Sequence, residues 1–128
     1  MLEEENQHAT FFTTAYTAEL HPEVIKCIAA CGHEIAYHGY LHEVYDTYEK
    51  ENALMAKAEN IIKSLTGRQM VGQRSPDGFI YDFHLQLWLD RRYIYSSNWR
   101  DNDGPFLHKI NGKTVPIVEL PKDGIVDD

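Results

Sequence analysis

The sequence predicts an α/β domain in which parallel strands alternate with helices and a β-hairpin lies near the C-terminal end. Short runs of β-branched and aromatic residues alternate with amphipathic stretches along the 128 residues. Asn111-Gly112, between two apolar runs, is typical of a tight hairpin turn. The alternation implies right-handed crossovers between strands, with functional groups at the carboxyl ends of those strands.

The first half of the chain predicts two strands around one helix. Residues 9–14 are rich in β-branched and aromatic side chains, as in a buried strand. A helix over about 22–31 follows, because Pro22 suits a first helical position and Gly32 supplies a stop. A second short strand over 34–39 ends at a glycine that permits a sharp turn.

A long helix is the next predicted element. Asp46 is its expected N-cap, with Glu49 reaching back in a capping box, and apolar residues recur at helical spacing until Gly67. The remaining predicted elements, in chain order, are a strand at 70–74, a loop at 75–78, a short helix at 83–89, a strand at 93–97 and hairpin strands at 107–110 and 115–119.

Composition excludes several classes of function. The formal net charge of -8 has the wrong sign for a protein that binds phosphate backbones, so nucleic acid is not an expected partner. No apolar run approaches the roughly 20 residues that span a bilayer, so no membrane is expected, and residues 1–5 lack signal-peptide character. A cytoplasmic location is the expectation, with Cys27 and Cys31 as small buried side chains in a reducing compartment.

Two histidines form the strongest local signal for chemistry. His38 and His42 lie four residues apart where the second strand ends, a spacing that suits one cation. A catalytic zinc site typically uses three protein ligands and an open position for water, so two histidines are too few. Taken alone, the pair is more often exposed or part of the core than a metal site.

The surrounding sequence resembles the polysaccharide deacetylase family. The run from Gly32 to His42 resembles the family's second motif, and Arg74-Ser75-Pro76-Asp77-Gly78 resembles its arginine-proline-glycine motif. Residues 95–98 and 119–121 are similar to a subgroup with peptidoglycan-deacetylase-like and allantoinase-like members. The resemblance covers nearly the whole chain and implies part of a distorted (β/α) barrel of the NodB type, found in carbohydrate esterase family 4.

The resemblance implies metal-dependent hydrolysis of a carbon-nitrogen bond, with N-acetyl groups removed from an amino-sugar polymer. His38 and His42 would be metal ligands, zinc being the expected divalent ion. Arg74 would orient a catalytic aspartate through charge-assisted hydrogen bonds. The candidate substrate-binding residues are Tyr40, Pro76, Asp77 and Trp99, with Phe79 beside them. For the aromatic residues, core packing is the alternative.

Two of the family's motifs are not visible in the sequence. Neither a strand ending in two aspartates nor a closing histidine motif is present, so residues 1–128 are expected to form a partial domain with little or no activity by itself. Open strand edges would favour a homo-oligomer. Two alternatives stay open: a metal-independent, allantoinase-like hydrolase of small cyclic amides, and a non-catalytic saccharide-binding remnant.

Overall fold

The computed structural model describes residues 7–98 and 104–122, which form one six-stranded sheet flanked by helices. The strands run in the order β1-β2-β3-β4-β6-β5. In chain order the elements are β1 (Thr10–Thr13), α1 (Ala15–Leu20), α2 (Pro22–Ala30), β2 (Glu34–Tyr37), α3 (Tyr48–Thr66), β3 (Gly72–Gln73), a 3₁₀ turn (Pro76–Gly78), α4 (His84–Asp90), β4 (Tyr95–Ser96), β5 (Phe106–Ile110) and β6 (Lys113–Glu119).

The sheet confirms the predicted α/β class. Strands β1 to β4 are parallel to their neighbours, β6 is parallel to β4, and β5 pairs with β6 as an antiparallel hairpin. The carboxyl ends of β1, β2, β3, β4 and β6 therefore lie along one edge of the sheet. Within the described residues β1 and β5 are the two outer strands, so the sheet is open.

The core lies between the sheet and its helices. The longest helix, α3, buries Met55, Ala58 and Ile62 on one face, the i, i+3, i+7 spacing that the sequence predicts. Trp88 of α4 and Ile117 of β6 are also buried in the same cluster. No helix in residues 7–98 and 104–122 combines the length and the apolar character that a membrane span requires.

Strands β3 and β4 are shorter in the structure than the sequence predicts. The strand predicted at 70–74 is reduced to Gly72–Gln73, and the one predicted at 93–97 to Tyr95–Ser96. The ring of Tyr95 lies directly over Gly72, where a Cβ atom would fall 1.8 Å from Tyr95 Cζ. Only glycine permits this close approach of side chain to backbone.

Two of the three helix starts in the first half of the chain differ from the sequence prediction. Helix α1 was not predicted; it begins after Thr14, whose hydroxyl accepts a hydrogen bond from the Thr17 N–H at 3.4 Å. The predicted capping box at Asp46 is wrong, because α3 has its N-cap at Thr47 with no side-chain cap hydrogen bond. Instead, buried Glu51 of the first turn accepts the Tyr45 N–H at 3.2 Å.

The expectation of buried cysteines is also wrong. Cys27 is exposed and Cys31 is only half-buried. Cys27 lies on α2, whose buried positions are Ile25 and Ala29, and Cys31 is the C-cap of that helix. Of the two cysteines, only Cys27 therefore lies on the solvent-facing side of this helix.

Candidate active site

His38 lies immediately beyond the end of β2, at the carboxyl edge of the sheet. Its ring is buried, and Nδ1 lies 2.7 Å from the carbonyl oxygen of Arg74. A carbonyl can only accept a hydrogen bond, so the proton must be on Nδ1 of the imidazole. In the neutral ring Nε2 is then the unprotonated nitrogen, which is the form that a metal ligand needs.

His42 brings a second imidazole next to the first. The two ring centroids are 4.8 Å apart and the ring planes meet at 70°. His42 is exposed and has a φ of 64°, a left-handed conformation that a side chain seldom adopts without a local cause.

The spacing of the rings fits two ligands of one zinc ion. With Zn–N bonds of about 2.1 Å and tetrahedral angles, two coordinated imidazoles have centroids about 5 Å apart. The observed separation of 4.8 Å agrees with this requirement. Within residues 7–98 and 104–122, however, no group of three His, Cys, Asp or Glu residues suited to a metal is found. The described residues therefore contain two candidate ligands of the predicted site, and their role as ligands stays a prediction.

Arg74 lies one residue beyond β3, beside His38 along the same edge. Its Nε donates to the Ser97 carbonyl at 3.2 Å and its Nη2 to the Ser97 hydroxyl at 3.0 Å. The guanidinium carbon also lies 4.3 Å from the ring centroid of Phe12. The cation is thus fixed from both sides at the edge that carries the histidines.

The turn between the histidines requires glycine. Gly39 has a φ of 76°, and a Cβ atom there would lie 3.1 Å from the Glu43 carbonyl oxygen and 3.2 Å from Pro76 Cγ. Pro76 is buried against this turn. The histidine segment and the Arg74-to-Gly78 segment therefore pack against each other, as neighbouring parallel strands β2 and β3 require.

The other predicted substrate-binding residues are dispersed around this edge. Tyr40 is half-buried, and its hydroxyl hydrogen-bonds Glu19 of α1 and Lys57 of α3. Asp77 is exposed with a φ of 55°, and the side chain of Phe79 is 53% exposed. Trp99 lies outside the described residues. The structure brings His38, His42, Arg74 and Pro76 together, whereas the substrate-binding roles stay predictions.

Sequence reasoning left out three supporting residues. Ser97 holds Arg74, Asn98 Oδ1 accepts the Ser75 N–H at 2.7 Å, and Glu119 accepts the backbone N–H of Asn98. Residues 95–98 and 119–121 do belong to segments that resemble the family. A signal was therefore present, but it did not indicate which side chains face the site.

Comparison with known proteins is consistent with this geometry. The polysaccharide deacetylase family profile matches residues 1–90. A peptidoglycan deacetylase from Helicobacter pylori is 31% identical, in an alignment that covers 94% of this chain and 49% of that protein. The chain therefore spans about half the length of this relative.

Solved structures give the same result. A protein from Mycobacterium smegmatis described as a polysaccharide deacetylase superposes with a TM-score of 0.88 at 34% identity, covering 96% of this chain and 43% of that one. Puue allantoinase superposes with a TM-score of 0.78 at 28% identity, covering 95% of this chain and 41% of that one. With a profile that matches more than half of its residues, this chain belongs to the polysaccharide deacetylase family.

Proposed function

We propose that this chain is part of a metal-dependent hydrolase that removes N-acetyl groups from an amino-sugar polymer. The observation that carries the proposal is the pair of imidazoles at the carboxyl edge, 4.8 Å apart, in which His38 donates its Nδ1 proton to the Arg74 carbonyl and so has an unprotonated Nε2 in the neutral ring. The relative from Helicobacter pylori is a peptidoglycan deacetylase, which supports an amino-sugar polymer as the substrate.

His38 and His42 would hold the divalent ion, for which zinc is our choice because imidazole nitrogen suits it. When bound, such an ion polarises a carbonyl group and lowers the pKa of a bound water molecule. His38 is preorganised for this role, since its ring is buried and its tautomer is fixed. His42 is exposed, so its side of the pair faces the solvent from which a substrate would arrive.

Arg74 would serve as a positioning residue for a carboxylate. Its guanidinium has five N–H donors, and the Ser97 carbonyl and hydroxyl engage Nε and one Nη. A fixed cation at this edge would favour the ionised form of a carboxylic acid placed beside it, which is the form a general base needs. Rigid attachment to Ser97 and Phe12 would keep that carboxylate in one orientation.

A second candidate is hydrolysis of a small cyclic amide. The structural similarity to Puue allantoinase over 95% of this chain favours it. The two functions differ in what they require of the site: the first needs metal at the histidine pair and a surface for saccharide rings, whereas the metal-independent alternative needs neither.

Zinc titration tests the metal site directly. We expect the wild-type chain to bind zinc, and His38→Ala and His42→Ala each to weaken binding at least tenfold, while His21→Ala, which removes an exposed histidine at the start of α2, leaves affinity unchanged. Binding should weaken as the pH falls, because protonation of an imidazole removes the lone pair that binds the metal. If both alanine variants bind zinc as tightly as the wild type, this site does not exist.

Ligand binding separates the two candidate substrates. Amide signals of Asp77, Gly78 and Phe79 are followed by NMR while chitooligosaccharide or allantoin is added to the zinc-loaded chain. We expect saccharide to shift these signals and allantoin to leave them unchanged. The reverse result would favour the cyclic-amide hydrolase, and no response to either ligand would favour a remnant without substrate binding.

A further inference from the structure

A buried polar cluster lies where the hairpin joins the rest of the sheet. Ser96 at the end of β4, His108 of β5 and Glu119 at the end of β6 are each at most 5% exposed. His108 Nε2 is 2.8 Å from Ser96 Oγ and 3.0 Å from Glu119 Oε2. The three side chains, here called the hairpin cluster, connect three strands through a single carboxylate.

The directions of these hydrogen bonds follow from the number of available protons. Ser96 has one hydroxyl hydrogen, and it is donated to Glu119 Oε2. Ser96 therefore has no proton left for His108, so the hydrogen between Ser96 Oγ and His108 Nε2 must belong to the imidazole. The one Nε2 hydrogen of His108 is shared between Ser96 Oγ and Glu119 Oε2, and Glu119 also accepts from the Ser96 hydroxyl and, through Oε1, from the Asn98 N–H. Three donors converge on one carboxylate, which explains how a fully buried Glu119 is tolerated.

A serine, a histidine and a glutamate in contact call for comparison with a nucleophilic triad. In such a triad the hydroxyl donates its proton to the imidazole, which abstracts it when the oxygen attacks. In the hairpin cluster the Ser96 hydroxyl points at the carboxylate instead, and its side chain is 0% exposed. This geometry excludes a nucleophile at Ser96 and leaves a role in positioning.

The hairpin cluster is connected to the metal-ligand histidine by an unbroken series of contacts. Glu119 holds the Asn98 backbone, and Asn98 Oδ1 accepts the Ser75 N–H at 2.7 Å. Ser75 directly follows Arg74, whose carbonyl accepts the hydrogen bond from His38 Nδ1 at 2.7 Å. Each contact fixes the backbone on which the next one depends.

We propose that Glu119 is a positioning residue, which through Asn98 and Ser75 fixes the Arg74 carbonyl and hence the tautomer and direction of the His38 imidazole. The hairpin would then serve the candidate active site rather than only complete the sheet. The role in metal binding rests on the function proposed above, whereas the effect on the backbone of Ser75 does not.

Amide hydrogen exchange tests the positioning role without a metal or a substrate. In Glu119→Gln, the two side-chain atoms still face three donors, and one atom is now an NH₂ group, so at least one bond must be lost. The reference is the Ile94 N–H, which bonds Val71 O at 2.8 Å at the opposite end of the β3–β4 pair. We expect protection of the Ser75 amide to fall at least tenfold further than protection of the Ile94 amide.

A matched control separates positioning from a general loss of stability. Ile117→Val removes one methylene from a fully buried side chain on the same strand and leaves the hairpin cluster intact. In this variant the Ser75 and Ile94 amides should lose protection to the same extent. Parallel loss at both amides in Glu119→Gln as well would overturn the proposal.

A second pair of variants serves if Glu119→Gln does not fold. His108→Leu removes one donor to the carboxylate, whereas in His108→Gln an amide nitrogen takes the place of Nε2. Selective exposure of the Ser75 amide in the leucine variant and its recovery in the glutamine variant support the role of the hairpin cluster; equal behaviour of the two variants refutes it.

Zinc affinity then links the hairpin cluster to the metal site. We expect Glu119→Gln to bind zinc about tenfold more weakly than Ile117→Val, as loss of a group that orients a ligand does in other metal sites. Equal zinc affinity in the two variants would refute the link to His38. If the wild-type chain binds no zinc, the proposed function fails, and the exchange experiment still decides whether Glu119 positions Ser75.

Discussion

His84 should make the stability of the fold depend on pH below neutrality. The imidazole is 2% exposed, its ring stacks on Phe83 at 4.5 Å, and its Nδ1 accepts the Tyr81 N–H at 2.8 Å. Burial among apolar groups disfavours the charged form and lowers the pKa of His84 from 6.5 to about 4. The folded state therefore keeps this imidazole neutral under conditions in which the unfolded chain protonates it.

The sign and the size of the effect follow from the two pKa values. Between about pH 6.5 and about pH 4 the unfolded state binds the additional proton, so the free energy of unfolding decreases as the pH falls. The contribution is fully present above about pH 6.5 and is lost by about pH 4. The two pKa values differ by about 2.5, and a difference of one in pKa corresponds to about 1.36 kcal/mol, so the contribution to the free energy of unfolding is roughly 3 kcal/mol.

Urea unfolding at a series of pH values measures this contribution. His84→Gln replaces the imidazole with a side chain that does not titrate, and His21→Gln removes an exposed imidazole as the control. We expect the free energy of unfolding to fall by roughly 3 kcal/mol more in the wild type and the control than in His84→Gln between about pH 7 and about pH 4. Equal pH dependence in all three proteins would refute the reasoning from burial.

Three further predictions concern the sheet and its surroundings. Gly72→Ala should destabilise the fold by roughly 3 kcal/mol, because its Cβ would enter the Tyr95 ring. Tyr95→Ser in the same chain should relieve most of that loss. Urea unfolding midpoints that show no such rescue would contradict this packing. Tyr37→Phe should lower the free energy of unfolding by about 1–3 kcal/mol, because it removes the hydroxyl that donates to buried Glu51 at 3.0 Å. A decrease of less than about 0.5 kcal/mol would count against this hydrogen bond. Since β1 and β5 are outer strands of the described sheet, we expect a homo-oligomer in sedimentation at micromolar concentration, and a strictly monomeric chain would disprove it.

The fold class was predictable because it depends on periodicity, which the sequence displays directly. The repeat on α3 and the proline at the first position of α2 both lie where the structure has them. Short elements were harder, because six residues of α1 leave little room for a repeat. The signal for that helix is the cap at Thr14, because threonine is a favoured N-cap residue.

The proximity of the two histidines was predictable for a related reason. His38 and His42 lie four residues apart on one turn, so their proximity does not depend on the rest of the fold. The position of Arg74 beside them required only that β2 and β3 be neighbours in a parallel sheet, which the alternation implies. Contacts set by local spacing or by strand order could therefore be read from the sequence.

The hairpin cluster could not be read in this way. His108 and Glu119 come together because β5 and β6 pair with a register shift between Leu107 and Lys109, and the sequence around Asn111-Gly112 does not indicate such a shift. In a regular hairpin, simple alternation along each strand would decide which face His108 and Glu119 occupy. Here the register shift falls at His108 itself, so alternation does not predict its position. The residue that we propose as a positioning group thus depends on a deviation from the regular pattern. Periodicity brings residues together wherever a strand or helix is regular, whereas the contact between His108 and Glu119 exists only because the pairing of β5 and β6 is irregular.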